Sequence, residues 1–119
     1  MRTLIAEATA TGAGPSKALP EAKMDHGVDC LLNDTNNSIS VVVVDLEGSL
    51  DPPEVPDNKA KWIQLGQKSF DGGEITAKYA MWVINATPPV KRVRANLITL
   101  TGIASPDTVR VRHQIDGDY

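Results

Sequence analysis

Ser38–Asp57 reads SISVVVVDLEGSLDPPEVPD, four consecutive valines running into an acidic, proline-rich tail. Side chains alternate across a strand, so Ile39, Val41 and Val43 point one way and Val42, Val44 and Leu46 the other. A strand apolar on both faces is expected to be covered on both, inside a sandwich or beneath a partner surface. Asp45 and Glu47 then make one face polar, so the strand leaves the interior there. Pro52, Pro53 and Pro56 cannot donate to a ladder and turn the chain out into an extended loop.

Working outward, the rest of the chain alternates short strands with turn formers. Arg2–Ala10 is a strand stopped by Thr11–Pro15, and Ser16–Asp25 has no clear period and reads mostly as loop. Gly27–Leu32 is a strand with Val28, Cys30 and Leu32 on one face. Asn33–Ser38 is a run of residues whose side chains bond their own backbone, so it reads as a turn, and the glycosylation triplets at Asn33, Asn36 and Asn85 read as turn chemistry too. Lys61–Phe70 is a strand, Asp71-Gly72-Gly73 a turn, and Glu74–Asn85 holds a second run apolar on both faces, Tyr79–Ile84. In the strand Val90–Thr101, Val93, Ala95 and Leu97 oppose Arg92, Arg94 and Asn96. In Thr108–Ile115, Val109, Val111 and His113 oppose Arg110, Arg112 and Gln114. Seven or eight short strands without a sustained helical period predict an all-β sandwich. Composition alone does not choose between immunoglobulin-like and jelly-roll connectivity.

The chain has 119 residues, one domain's worth of material, and domain 1–119 is expected to bury one core without a metal or disulfide. Cys30 is the single cysteine and reads as a small buried hydrophobe. Net charge is −3, from 15 acidic and 12 basic side chains, which does not draw a polyanion from a distance. Nucleic acid is therefore not an expected partner. No signal-peptide region follows Met1, and no apolar run approaches the ~20 residues a bilayer needs. The expectation is a soluble protein without an export signal.

Chemistry is sparse. The imidazoles are His26, in a polar Asp25-His26-Gly27 turn and read as solvated, and His113, read as a partly covered sheet residue. Neither stands in a zinc-type pair, and Asp45, Glu47, Asp51, Glu54 and Asp57 lack calcium-loop spacing. No catalytic, cofactor or metal site is expected, and the reading is non-enzymatic. Two features suit binding instead. Lys91, Arg92 and Arg94 with Arg110 and Arg112 would make a positive patch if their strands were neighbours. Trp62, Tyr79 and Trp82 stand out in a chain with 4% aromatics, and Trp62 and Trp82 are the glycan-contact candidates, with core packing as the competing role.

At VDLEGSLD (Val44–Asp51), the W-I-x-L of Trp62–Leu65, VKRVRANLITLTG (Val90–Gly102) and TVRV (Thr108–Val111), the chain resembles small structural proteins of tailed bacteriophages. The likeness covers about Val41 to Val111, and extends more loosely to galactose-binding-like and discoidin-type sandwiches. It departs from the pattern at the Pro52–Ala60 insertion, and at Lys91 and Arg92, where an aromatic often sits. A single-domain β-sandwich of this kind is similar to the jelly-roll cement (decoration) proteins of short-tailed phages. The resemblance implies a jelly-roll sandwich on the capsid exterior of the virion, made in the bacterial cytoplasm. Its implied partners are the major capsid protein and further copies of itself, as dimer or trimer, with no cofactor and no membrane. Residues 1–24 would then be an extended segment able to lie along a partner. The surplus of apolar strand surface would pair copies or dock on the shell. The alternatives on the same fold are a glycan- or receptor-binding module of a tail or baseplate, and a head–tail component.

Overall fold

The computed structural model describes residues 1–115, without the side chains of Lys23, Ala86, Thr87 and Pro88. Strands take 61% of the chain and helix 5%, so the class is all-β, as the turn spacing predicts. The strands are β1 (Arg2–Ala8), β2 (Gly12–Ala13), β3 (Lys17–Asn33), β4 (Val41–Ser49), β5 (Ile63–Ser69), β6 (Tyr79–Thr101) and β7 (Thr108–Gln114), with a short helix α1 (Gly72–Ala77) between β5 and β6. All pairings are antiparallel, in the order β1-β7-β3-β6-β4-β5, with β2 beside β6.

The two long strands make the sandwich. Pairing of β3 with β6 is regular from Leu31↔Tyr79 to Asp25↔Asn85, shifts register twice, and resumes at Ala18↔Arg92. Such shifts bend a strand pair. Each long strand therefore serves two sheets, and counting the halves separately gives nine strands in two antiparallel sheets. The first sheet is β1, β7, the second half of β3 and the first half of β6. The second is β2 with the start of β3, the second half of β6, then β4 and β5. This order supports the sandwich and adds nothing to the jelly-roll refinement.

Both sheets turn their alternate apolar residues inward. Val42, Val44 and Leu46 of β4 are 0, 0 and 1% exposed, against Val93, Ala95 and Leu97 of β6 and Val28, Cys30, Val109 and Val111 of the first sheet. Each buried Val or Leu side chain among them is worth about 1.5–3 kcal/mol of burial. The opposite face of β4 departs from the expectation of double cover, since Val41 is 42% exposed. That face is polar further along: Asp45 accepts from Gln64 Nε2 at 3.0 Å and Gln67 Nε2 at 2.8 Å.

Three local readings change. Ser16–Asp25 is strand rather than loop, because Leu19 is buried and β3 starts at Lys17. Asp71-Gly72-Gly73 opens α1 instead of a hairpin. Asp71 accepts from Glu74 N at 2.8 Å while Glu74 Oε1 accepts from Asp71 N at 3.0 Å, a capping box. The strands expected at Glu74–Asn85 and Val90–Thr101 are one continuous strand from Tyr79 to Thr101, preceded by α1. Among the described residues no helix is long and apolar enough to cross a membrane.

Candidate functional site

The outer face of the first sheet is a grid fixed by register. Arg110 lies opposite Leu31, and Leu31 opposite Tyr79; Arg112 lies opposite Asp29, and Asp29 opposite Met81; Gln114 lies opposite Gly27, and Gly27 opposite Val83. The inward neighbours Val28, Cys30, Ala80, Val109 and Val111 are buried, so these residues point out. Met81 is 70% and Val83 85% exposed, with Leu31 and Tyr79 at 37% each. The second run apolar on both faces is therefore covered on one face only, and the other forms an apolar strip beside a basic column.

Asp29 holds the strip to the column. Arg112 Nε and Nη2 donate to its two carboxylate oxygens at 3.0 and 2.6 Å, and the Tyr79 hydroxyl donates to Oδ2 at 3.0 Å. The Asp29 carboxylate raises the Arg112 pKa further, chiefly through that hydrogen bond. Partial burial, then the bond to Asp29, pushes the Tyr79 phenol up. Arg112 is thus neutralised within the fold. Among the described residues Arg110 is seen in no such pair; it is half-buried, and its Nε is buried without a hydrogen-bond partner.

Lys91, Arg92 and Arg94 lie in the other sheet. β7 pairs with β1 and β3, while residues 92–101 of β6 pair with β4, so the two sets of basic residues face opposite ways across the sandwich. They do not form one patch. Lys91 is exposed, but Arg92 is 3% exposed and organises the Pro52–Ala60 insertion. Its guanidinium donates to Pro52 O at 3.1 Å, Val55 O at 2.8 Å, Ser16 Oγ at 3.0 Å and Asp57 Oδ1 at 2.5 Å. Bonds from the Ser16 hydroxyl and amide, and then Arg92, hold the Asp57 carboxyl below its ordinary range. The insertion is a folded lid on the second sheet. Its sequence signal was the cation standing where an aromatic was expected.

Trp62 belongs to the same cluster. Its Nε1 donates to Asp57 O at 2.9 Å, and Arg94, paired to Glu47 at 2.6 Å, lies over its ring. Trp82 packs partly buried against the core with Nε1 unpaired, and lines a cleft of about 470 Å³ at the end of the first sheet. His26 and His113 border that cleft. They are buried at 2 and 1%, contrary to the reading of His26 as a solvated turn residue. Arg2 Nη1 contacts His113 Nδ1 at 3.0 Å, and His113 Nε2 contacts His26 Nδ1 at 2.8 Å. A guanidinium only donates, so His113 Nδ1 accepts and its Nε2 is the donor to His26. The polar tripeptide around His26 concealed this, because long-range pairing of β3 with β7 covers it.

Cys30 is fully buried and its thiol is pushed up to about 12, by burial first and by Asp29 second. Its thiolate population is negligible at neutral pH, which removes it as a nucleophile. Among the described residues no group of three or more His, Cys, Asp or Glu side chains is placed to hold a metal ion. Comparison with protein-family models, curated proteins and solved structures finds no match to this chain.

Proposed function

We propose that this chain is a non-enzymatic structural protein of a phage particle, a cement protein that binds the capsid shell from outside and stabilises it. The virion setting rests on the sequence resemblance. The observation that carries a docking role is the outer face of the first sheet, where Met81 and Val83 stand 70 and 85% exposed beside Leu31 and Tyr79. An apolar strip rimmed by polar residues marks a binding surface, and it lies on a rigid sheet braced by the Arg112–Asp29–Tyr79 network. Stapling needs contact area and no reactive group.

The test is the copy number of the protein in purified particles against the major capsid protein, with shell binding of Met81→Lys and Val83→Lys. Near-stoichiometric copies, lost from shells by either substitution with folding unchanged, are the expected result. A few copies per particle would place the protein at the tail or neck and overturn the cement reading.

One observation favours the glycan-binding alternative: Trp82 carries an unpaired buried donor in the wall of a cleft. Under that reading, sugar would quench tryptophan fluorescence in the native chain and not in Trp82→Phe. Trp62 is less suited, since its N–H is engaged and Arg94 lies over its ring.

A further inference from the structure

Among the described residues the first half of β6 has a strand partner on one flank only. Residues 79–85 pair with β3, whereas β4 joins β6 from Arg92 onward and β2 at Asn96 and Leu97. The direction of the backbone groups follows from one bond. Leu32 N donates to Lys78 O at 2.9 Å, and the register continues through Leu31↔Tyr79 and Cys30↔Ala80. In an antiparallel ladder alternate residues bond the same neighbour. Ala80, Trp82 and Ile84 therefore turn their N–H and C=O toward β3, and Tyr79, Met81, Val83 and Asn85 turn theirs toward the open flank. The residues with free backbone groups are also those with outward side chains.

We propose that two copies of the chain pair along this edge, antiparallel about a two-fold axis, with Met81 of each opposite Val83 of the other. In that register Tyr79 meets Asn85, and every free backbone group between them finds a partner. Apolar side chains lie beside apolar side chains, and the two first sheets become one continuous sheet. The occupant is argued from the edge itself. YAMWVIN (Tyr79–Asn85) contains no charge and no proline, and its pairing with β3 has no bulge. Those are the devices by which exposed edges avoid pairing with themselves. The opposite edge of the same sheet has them, since β1 carries Arg2 and Glu7 and shifts register twice against β7. A neutral strand also meets its own copy without like-charge repulsion. Pairing leaves the outer side chains on one broadened face, so it is compatible with shell docking and does not depend on it. A single strand pair buries less than the roughly 800 Å² per partner of a standard interface, so a concentration-dependent dimer is expected.

The test uses the full chain in two measurements. Sedimentation equilibrium over a range of concentrations should show twice the 12.8 kDa chain mass at the upper end. The double substitution Met81→Lys with Val83→Lys should weaken the dimer at least tenfold while the thermal melt stays within a few degrees. In parallel, Met81→Cys and Val83→Cys chains should cross-link faster when mixed than either does alone. Paired residues here stand about 5.5 Å apart at Cα, within disulfide reach. Cys30 is buried and does not interfere. A monomer at every concentration, or a dimer indifferent to the lysines and without mixed cross-linking preference, overturns the pairing. Shell binding by a monomer would overturn it while leaving the cement reading intact.

Discussion

The guanidinium of Arg94 lies 4.2 Å over the ring of Trp62. The sequence offers one as a contact to a capsid and the other as a contact to a sugar, and in the fold they contact each other. Glu47 pairs with the same guanidinium at 2.6 Å. Removing Arg94 therefore acts first on the protein's own second sheet. Arg94→Ala should cost about 1 kcal/mol, the scale of a partly exposed ion pair with a cation–π contact, and should raise acrylamide quenching of Trp62. Chemical denaturation with a quenching titration measures both. Charge reversal of Arg94 or Arg112 would set like charges beside Glu47 or Asp29, so Lys91 and Arg110 are the better reporters of an external acidic partner.

Arg92→Met should cost about 1–3 kcal/mol, because it leaves Pro52 O, Val55 O, Ser16 Oγ and Asp57 without their shared donor. The same substitution should expose the Pro52–Ala60 segment to proteolysis, with cleavage between Lys59 and Trp62 appearing before global unfolding. An uncut lid at equal protease would refute the role given to Arg92.

Asp107 joins the turn after β3 to the one before β7, accepting from Thr35 Oγ1 at 2.6 Å and from Asn36 N and Nδ2 at 3.0 Å. These bonds, the Thr35 hydroxyl first, hold its carboxyl at about 2 against an ordinary 3.8. A depressed carboxylate stabilises the fold above its unfolded value and ceases to do so as pH falls through the folded one. The stability advantage of the native chain over Asp107→Asn should therefore be constant above about pH 4 and shrink between pH 4 and 2. Paired melts across that range check it, and a constant difference down to pH 2 would count against the assignment.

Gly102 has φ +87°, and a Cβ there would stand 2.0 Å from Ser38 O. Strain of this kind costs about 1–3 kcal/mol, and the clash with backbone adds to it. Gly102→Ala should lower the denaturation midpoint by more than Gly72→Ala, where nothing stands within 4 Å.

Cys30 should resist a thiol reagent at pH 8 in the native protein and react at once in denaturant. Rapid native labelling would contradict both its burial and its raised pKa.

Much of the fold was legible because strand alternation is local. Val42, Val44 and Leu46, Val93, Ala95 and Leu97, and Val109 and Val111 fall inside as a period of two requires, and β4 ends at Ser49, shortly before the prolines. The helix at Gly72 was legible only to a reader who weighed Asp71 and Glu74 together as a capping box. The exposed apolar strip was half legible: the run Tyr79–Ile84 shows more apolar surface than one core uses, but the sequence does not say which face is left over.

By itself, then, the sequence determined the all-β class and the apolar face of most strands, since alternation depends on neighbours a few residues away. The start of β3 and the continuity of β6 from Tyr79 to Thr101 came from pairing. The tertiary structure alone decided which strands lie side by side. Pairing β7 with β3 sends Arg110 and Arg112 to one face and leaves Arg92 and Arg94 on the other, and the same pairing buries His26 against His113. Whether Val41, Met81 and Val83 are covered follows from that choice, because a side chain's exposure is set by what packs across from it and not by the alternation that points it there.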